Sequence, residues 1–226
     1  MSDSKSVLMI VTSHDRLGES GKPTGFWLEE LAAPYAVFRD AGLRIDLASP
    51  GGGRPPADPK SESGEAEPVR RFLADREAMA RLESTRRLAD VEERYDAYFV
   101  VGGHGVMWDL ASSPEAAALL GRAHDAGKVV AAVCHGPAAL VGVRDAKGEP
   151  IVRGRRVAAF SNEEEDAVGL TGIVPFALET RLRELGARYE RGPKWAAFAV
   201  RDGKLVTGQN PQSSADTARE VLAALG

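Results

Sequence analysis

Three groups of residues in this 226-residue chain have types and spacings that could do chemistry. The first centres on Cys134, the sole cysteine. It follows the apolar run Val129-Val-Ala-Ala-Val133 and precedes His135-Gly136-Pro137 and the helix-compatible Ala138-Ala-Leu140. A strand turning sharply into a helix is the layout of a nucleophile elbow, which lifts one reactive side chain clear of the backbone. A thiol placed there sits over the N-terminus of the next helix, whose dipole and free N–H groups favour thiolate. His135 is the nearest candidate to take the thiol proton, although neighbours in sequence need not have facing side chains. A buried core cysteine is the plainer reading, since free Cys is among the most buried residue types. A core cysteine, however, has no need of the His-Gly-Pro turn.

The second group is acidic. Ser161-Asn-Glu-Glu-Glu-Asp166 follows the run Arg156–Phe160 and offers four carboxylates at a strand end. One of them could orient the imidazole of a base. Most of the four are expected in water, and residue types alone do not choose among them. Glu30 stands in Trp27-Leu-Glu-Glu-Leu-Ala-Ala-Pro34. Pro34 has no N–H, so the Glu30 carbonyl loses its helical partner and a kink is expected. A carboxyl buried there near a thiol has a raised pKa and could donate a hydrogen bond to thiolate. A solvated helix Glu is the alternative, and Glu29 is expected to be the more exposed of the pair. The third group is Gly102-Gly103-His104-Gly105. Backbone without Cβ lets N–H groups approach a ligand closely, as an oxyanion site requires. His14 and His104 could ligate a metal, but no Cys/His cluster has zinc spacing and no metal is expected.

Groups so far apart must be gathered by the fold. Val7–Val11, Arg44–Ala48, Tyr95–Val101, Val129–Val133 and Arg156–Phe160 read as strands, mostly near-continuous apolar runs. Phe26–Ala41 (closed by Gly42), Pro114–Ala126, Thr171–Leu185 (closed by Gly186) and Pro211–Leu225 read as helices. Two short helical stretches are expected near 69–77 and 79–84. Ala196–Val200 and Lys204–Thr207, joined by Arg201-Asp-Gly203, read as a hairpin. Residues 50–68 read as a long surface loop, whose Gly51-Gly-Gly53 lacks the Lys-Ser/Thr of a phosphate loop. The alternation predicts an α/β fold: a mainly parallel sheet with helices on both faces, in one domain over residues 1–226. Reactive groups in such folds sit at the C-terminal ends of strands, so Gly102-Gly103 and Cys134 are expected to share one crevice.

Composition narrows the partners. The chain is 43% hydrophobic and 27% charged, with a formal net charge of −4 and a pI of about 5.7. Nucleic acid is not expected as a partner, because phosphate binding needs a basic face. A single cysteine forms no internal disulfide, which fits a reducing compartment. Val7–Val11 is too short for a signal peptide or a membrane span, so the cytoplasm is expected, with no membrane partner.

The stretches Thr24-Gly-Phe-Trp-Leu-Glu-Glu-Leu-Ala-Ala-Pro34, Ala48-Ser-Pro50, Gly102-Gly-His-Gly-Val-Met-Trp-Asp109, Ala132-Val-Cys-His-Gly-Pro137 and Thr207-Gly-Gln-Asn-Pro211 together resemble the ThiJ/PfpI superfamily over nearly the whole chain. The resemblance is closest to the branch holding glutathione-independent glyoxalases (glyoxalase III) and heat-shock chaperone-like proteins. It implies a flavodoxin-like fold related to class I glutamine amidotransferase domains, a homodimer and no organic cofactor. It implies that Cys134 is the nucleophile with His135 beside it, and that Glu30, four residues before the helix proline, contacts Cys134. The third acid falls at Glu165, five residues past Phe160, with Glu163 and Glu164 close enough to compete. Gly102, Gly103 and His104 are the candidates to bind substrate and its oxyanion.

The expected reaction converts methylglyoxal, or a similar 2-oxoaldehyde, to a 2-hydroxy acid through a Cys134 hemithioacetal. Cys-His-Glu is equally able to do acyl transfer, as in an amidase, a peptidase or a deglycase of glycated amines. A holding chaperone of the stress response is a third reading, and needs an exposed apolar patch. Trp27, Met107 and Trp108 are candidates to crowd the site, with core packing as the alternative.

Overall fold

The computed structural model describes residues 4–63, 66–91 and 95–226. Its strands are β1 (Ser6–Ile10), β2 (Arg44–Ser49), β3 (Arg86–Arg87), β4 (Ala97–Val100), β5 (Val129–Val133), β6 (Arg156–Val157), β7 (Arg188–Tyr189), β8 (Ala199–Asp202) and β9 (Leu205–Gly208). Its α-helices are α1 (Leu28–Asp40), α2 (Glu67–Ala74), α3 (Arg76–Glu83), α4 (Pro114–Asp125), α5 (Asn162–Val168), α6 (Leu178–Glu184) and α7 (Ser214–Leu225). Seven strands form one sheet in the order β3-β2-β1-β4-β5-β9-β8. All its pairings are parallel except the β8–β9 hairpin.

The central strands are apolar at nearly every position because both faces of the sheet are covered. Successive residues of β1 and its continuation point to opposite sides. Leu8 and Ile10 enter a core with Leu119 and Leu120 of α4 and Leu182 of α6. Val7, Met9 and Val11 enter the other, with Leu31 and Phe38 of α1 and Val221 of α7. Each such side chain taken out of water contributes about 1.5–3 kcal/mol. Packing on two faces therefore holds the strand ends, and the loops leaving them, in register. The result is the α/β, flavodoxin-like arrangement expected from the chain.

Several elements differ from the sequence expectation. Helix α1 begins at Leu28 rather than Phe26, because the Trp27 N–H donates to Gly102 O and Phe26 bridges to Ala57. The helix continues through Pro34 to Asp40. The run Arg156–Phe160 adds no strand to the main sheet. Only β6 is paired, with β7 in a separate two-stranded sheet. The donors that follow are used otherwise: the Ala158 N–H goes to Thr207 Oγ1 and the Phe160 N–H to Cys134 O. The expected helix Thr171–Leu185 shrinks to α6, since Pro175 disfavours helical geometry at the residue before it. Pro211–Ser213 is a 3-10 turn leading into α7. Asp75 accepts from the Glu77 and Ala78 N–H groups and so divides α2 from α3. The loop over residues 50–68 holds a 3-10 turn at Pro59–Ser61 and gives way to α2 at Glu67, with residues 64–65 outside the described ones. Among the described residues no helix is long and apolar enough to cross a membrane.

Candidate active site

Cys134 directly follows β5 with φ of +60°. The one other non-glycine residue with positive φ among the described residues is Trp195, at +62°, and both line the same cavity. Left-handed backbone at such residues costs of order 1–3 kcal/mol and persists only where the surroundings impose it. At Cys134 the surroundings do so from two sides. Its N–H donates to Gly208 O, next to β5 in the sheet, and its carbonyl accepts from the Phe160 N–H. The segment that follows, Gly136–Leu140, is a 3-10 turn rather than the expected α-helix. The thiol is buried, and burial pushes its pKa well above the usual value. A helix dipole therefore does not keep it ionised at rest, and a base must take its proton.

A candidate base is within reach. His135 Nδ1 lies 3.4 Å from Cys134 Sγ, and His135 Nε2 lies 2.7 Å from Glu165 Oε2. The other oxygen of Glu165 lies 2.9 Å from His104 Nε2. Burial alone would raise the pKa of Glu165, but the adjacent His135 and His104 outweigh it and hold the carboxyl well below its ordinary range. Burial, with His104 close by, keeps His135 below its ordinary pKa. An ionised Glu165 and a neutral His135 fix the tautomer: Nε2–H donates to the carboxylate and Nδ1 is left to accept from the thiol. Phe160 packs on the His135 ring with centroids 4.4 Å apart.

Glu30 approaches Cys134 from α1. It is completely buried, and neither carboxyl oxygen has a hydrogen-bond partner among the described residues. Burial raises its pKa well above the carboxylate range, and the Cys134 thiol and Gly102 N–H, which lie near it without hydrogen-bond geometry, offset only part of this. Burial therefore favours the protonated form of Glu30 beside the thiol. Gly102 lets it stand there: a Cβ on Gly102 would lie 2.1 Å from Glu30 Oε2 and 2.9 Å from Cys134 Cβ. Gly103 has φ of +101° and lines the cavity. Among the described residues neither its N–H nor that of His135 is spent on a backbone carbonyl. Gly102 thus makes room for Glu30, while Gly103 lines the cavity with an N–H that no backbone carbonyl takes.

The acidic run resolves into three fates. Glu163 is exposed and pairs with Arg191. Glu164 is buried and accepts from Ser161 N and Oγ, Trp195 N, Gln209 Nε2 and Asn210 Nδ2. Glu165, one residue on, turns to His135. Two of the four carboxylates are thus buried, against the expectation that most are solvated. A signal was present in the sequence: Ser161-x-x-Glu164 is a capping box, which commits Glu164 to the start of α5 and frees Glu165.

The cavity has a volume of about 220 Å³. Trp27, Phe160, Val168 and Trp195 form much of its wall, and Glu29 stands half-buried beside Glu30. Trp195 comes from a loop, Val168 from the last residue of α5 and Gln212 from the 3-10 turn before α7, and no local pattern announced that they meet at one cavity. Met107 and Trp108 belong to the core cluster instead, with Trp108 stacked on His14. His14 therefore stands apart from the reactive groups. The donor atoms of His104, His135 and Glu165 lie within 4.8 Å of one another, close enough to ligate a cation if both Nε2 atoms gave up their hydrogen bonds.

Comparison with known proteins agrees with this geometry. The chain is 34% identical to Glyoxalase 3 of Candida albicans, over 96% of this chain and 97% of that protein. It is 28% identical to the glutathione-independent glyoxalase HSP31 of Saccharomyces cerevisiae, over 98% of each. The crystal structure of glyoxalase III from Candida albicans superposes with a TM-score of 0.90 at 33% identity, over 97% of both chains. Rapid Encystment Protein 24 kDa of Francisella tularensis superposes with a TM-score of 0.94 at 41% identity, over 98% of this chain and 99% of that one. The profile of the DJ-1/PfpI family matches residues 23–224. With relatives this close over nearly its full length, and that profile spanning Glu30, Gly102, Gly103, His104, Cys134, His135 and Glu165, the chain belongs to the DJ-1/PfpI family.

Proposed function

We propose that this protein is a glutathione-independent glyoxalase, converting methylglyoxal or a similarly small 2-oxoaldehyde to a 2-hydroxy acid with water. The observation that carries the reading is the line Cys134–His135–Glu165 set against a buried, unpartnered Glu30 in one small cavity. The names of its full-length relatives support it.

The groups suffice for every step. His135 Nδ1 takes the thiol proton as Sγ bonds to the aldehyde carbon, and returns it to the new oxygen to give a hemithioacetal. The Gly103 and His135 N–H groups face the charge that develops on that oxygen. His135 then removes the proton from the former aldehyde carbon, while Glu30 protonates the neighbouring carbonyl oxygen to give an enediol. Return of the His135 proton to the second carbon, and of the first hydroxyl proton to Glu30, leaves a thioester. Water attacks it, the C–S bond breaks and sulfur recovers its proton. The sum is one oxoaldehyde and one water to one hydroxy acid, with no change in overall oxidation state.

We further propose that the chain works as a single-domain, cytoplasmic homodimer. Light scattering on the purified protein should give about twice 24.1 kDa. The decisive test is lactate formation from methylglyoxal in glutathione-free buffer. Wild type should produce lactate and Cys134→Ser should not. Unchanged methylglyoxal with wild type would end the reading for that substrate, and hydrolysis of an amide or glycated-amine panel lost in Cys134→Ser would replace it.

A further inference from the structure

A second, smaller cavity adjoins the reaction cavity and shares Trp27, His104 and Val168 with it. Its volume is about 110 Å³, and Leu17 and Leu170 supply apolar wall. The two differ in charge. The reaction cavity is lined by Glu29, beside the buried Glu30 that burial favours in its neutral form, and among the described residues by no lysine or arginine. The adjoining chamber is lined by Lys22 and Lys60, both exposed. Neither ammonium takes part in an ion pair or side-chain hydrogen bond among the described residues. Asp58 also lines the chamber, but its carboxylate is occupied by Thr24 Oγ1 at 3.0 Å and the Lys60 N–H at 2.9 Å. Two lysines against one aspartate leave the chamber with one net positive charge.

This polarity sorts a substrate end for end. An anionic group beside Cys134 would meet Glu29, whereas one held toward Lys22 and Lys60 would meet unpaired cations. We propose that the chamber is a subsite for the anionic tail of an extended 2-oxoaldehyde, with Lys22 and Lys60 as its specificity-determining residues. The proposal rests on the glyoxalase reading and deepens it: the substrate class is an oxoaldehyde with a carboxylate a few bonds from its reactive end. The aldehyde then faces Cys134 while the tail passes between Trp27 and Val168.

The test compares 4,5-dioxopentanoate, which carries a terminal carboxylate, with its primary amide, a neutral molecule of the same length. Wild type should show a higher kcat/KM for the acid. In the double variant Lys22→Ala/Lys60→Ala the acid-to-amide ratio should fall roughly three- to tenfold, the range two exposed charge contacts supply. Lys22→Glu/Lys60→Glu should invert the preference, and added salt should erode it in wild type. A ratio that the glutamate variant does not move overturns the proposal. Binding of the acid to Cys134→Ser, followed by tryptophan fluorescence through Trp27 and Trp195, reads the same subsite without turnover. Lysine-dependent binding with no turnover of any oxoaldehyde would uphold the chamber and overturn the glyoxalase reading. Turnover with lysine-independent binding would do the reverse.

Discussion

Two buried carboxyls flank Cys134, and their surroundings drive them in opposite directions. Glu165 touches two imidazoles and is held toward the ionised form, whereas Glu30 is buried beside a thiol with no hydrogen-bond partner among the described residues and is held toward the protonated form. The first can orient and charge a base, and the second can donate. The difference is measurable through stability. A carboxyl whose folded pKa is raised above the usual 4.5 favours the folded state fully below that value, and the advantage is lost as pH rises toward the folded pKa. Glu30→Gln removes that loss. The variant should gain on wild type as pH rises from about 4.5, by about 1.4 kcal/mol per pH unit until Glu30 ionises. Denaturant titrations at pH 4, 6 and 8 measure it. A stability difference that stays flat over that range would show that Glu30 is not a buried acid.

At the scale of elements, one capping motif arranges half of the site. Ser161 and Glu164 close the first turn of α5, and this places Glu165 on the face toward His135. The same Glu164 carboxylate holds Trp195, Gln209 and Asn210, so the start of α5 anchors both the aromatic wall and the segment leading to α7. Burial tends to raise the pKa of Glu164, but the hydrogen bonds from Asn210, Ser161 and Trp195 hold it below the ordinary value. Glu164→Gln would turn an amide donor toward groups that are themselves donors. It should cost about 3 kcal/mol in stability. It should also raise KM for the oxoaldehyde more than it lowers kcat, because Trp195 loses its tether while Cys134 and His135 keep theirs. Equal loss in both constants would mean that Glu164 serves the reacting groups instead of the wall.

For the molecule as a whole, these carboxyls shape the dependence of stability on pH. Glu164 and Glu165 have folded pKa values below 4.5, so their contribution is present above that value and is lost as pH falls. The melting temperature should therefore drop on acidification below about pH 4.5, and Glu165→Gln should flatten that limb without touching the limb set by Glu30. A melting temperature unchanged between pH 6 and pH 3 would contradict this. The β/α order was legible in the chain because strands buried on both faces must be apolar throughout, and β1, β4 and β5 carry that signature. Cys134-His135-Gly136 and the paired glycines were legible because reactive turns need residue types that few other places require. The capping box would also have singled out Glu165 over Glu164. Other features depended on the tertiary structure. That His135 faces the thiol, that Glu30 and not Glu29 is fully buried, and that Trp195 closes the cavity all follow from contacts between segments 30 to 170 residues apart. By itself the sequence determined which groups could react and which strands could carry them. Only the tertiary structure decided which carboxyl lost its water and which kept a cationic or hydrogen-bonded partner, because desolvation and pairing are properties of the packed chain and not of any local run of residues.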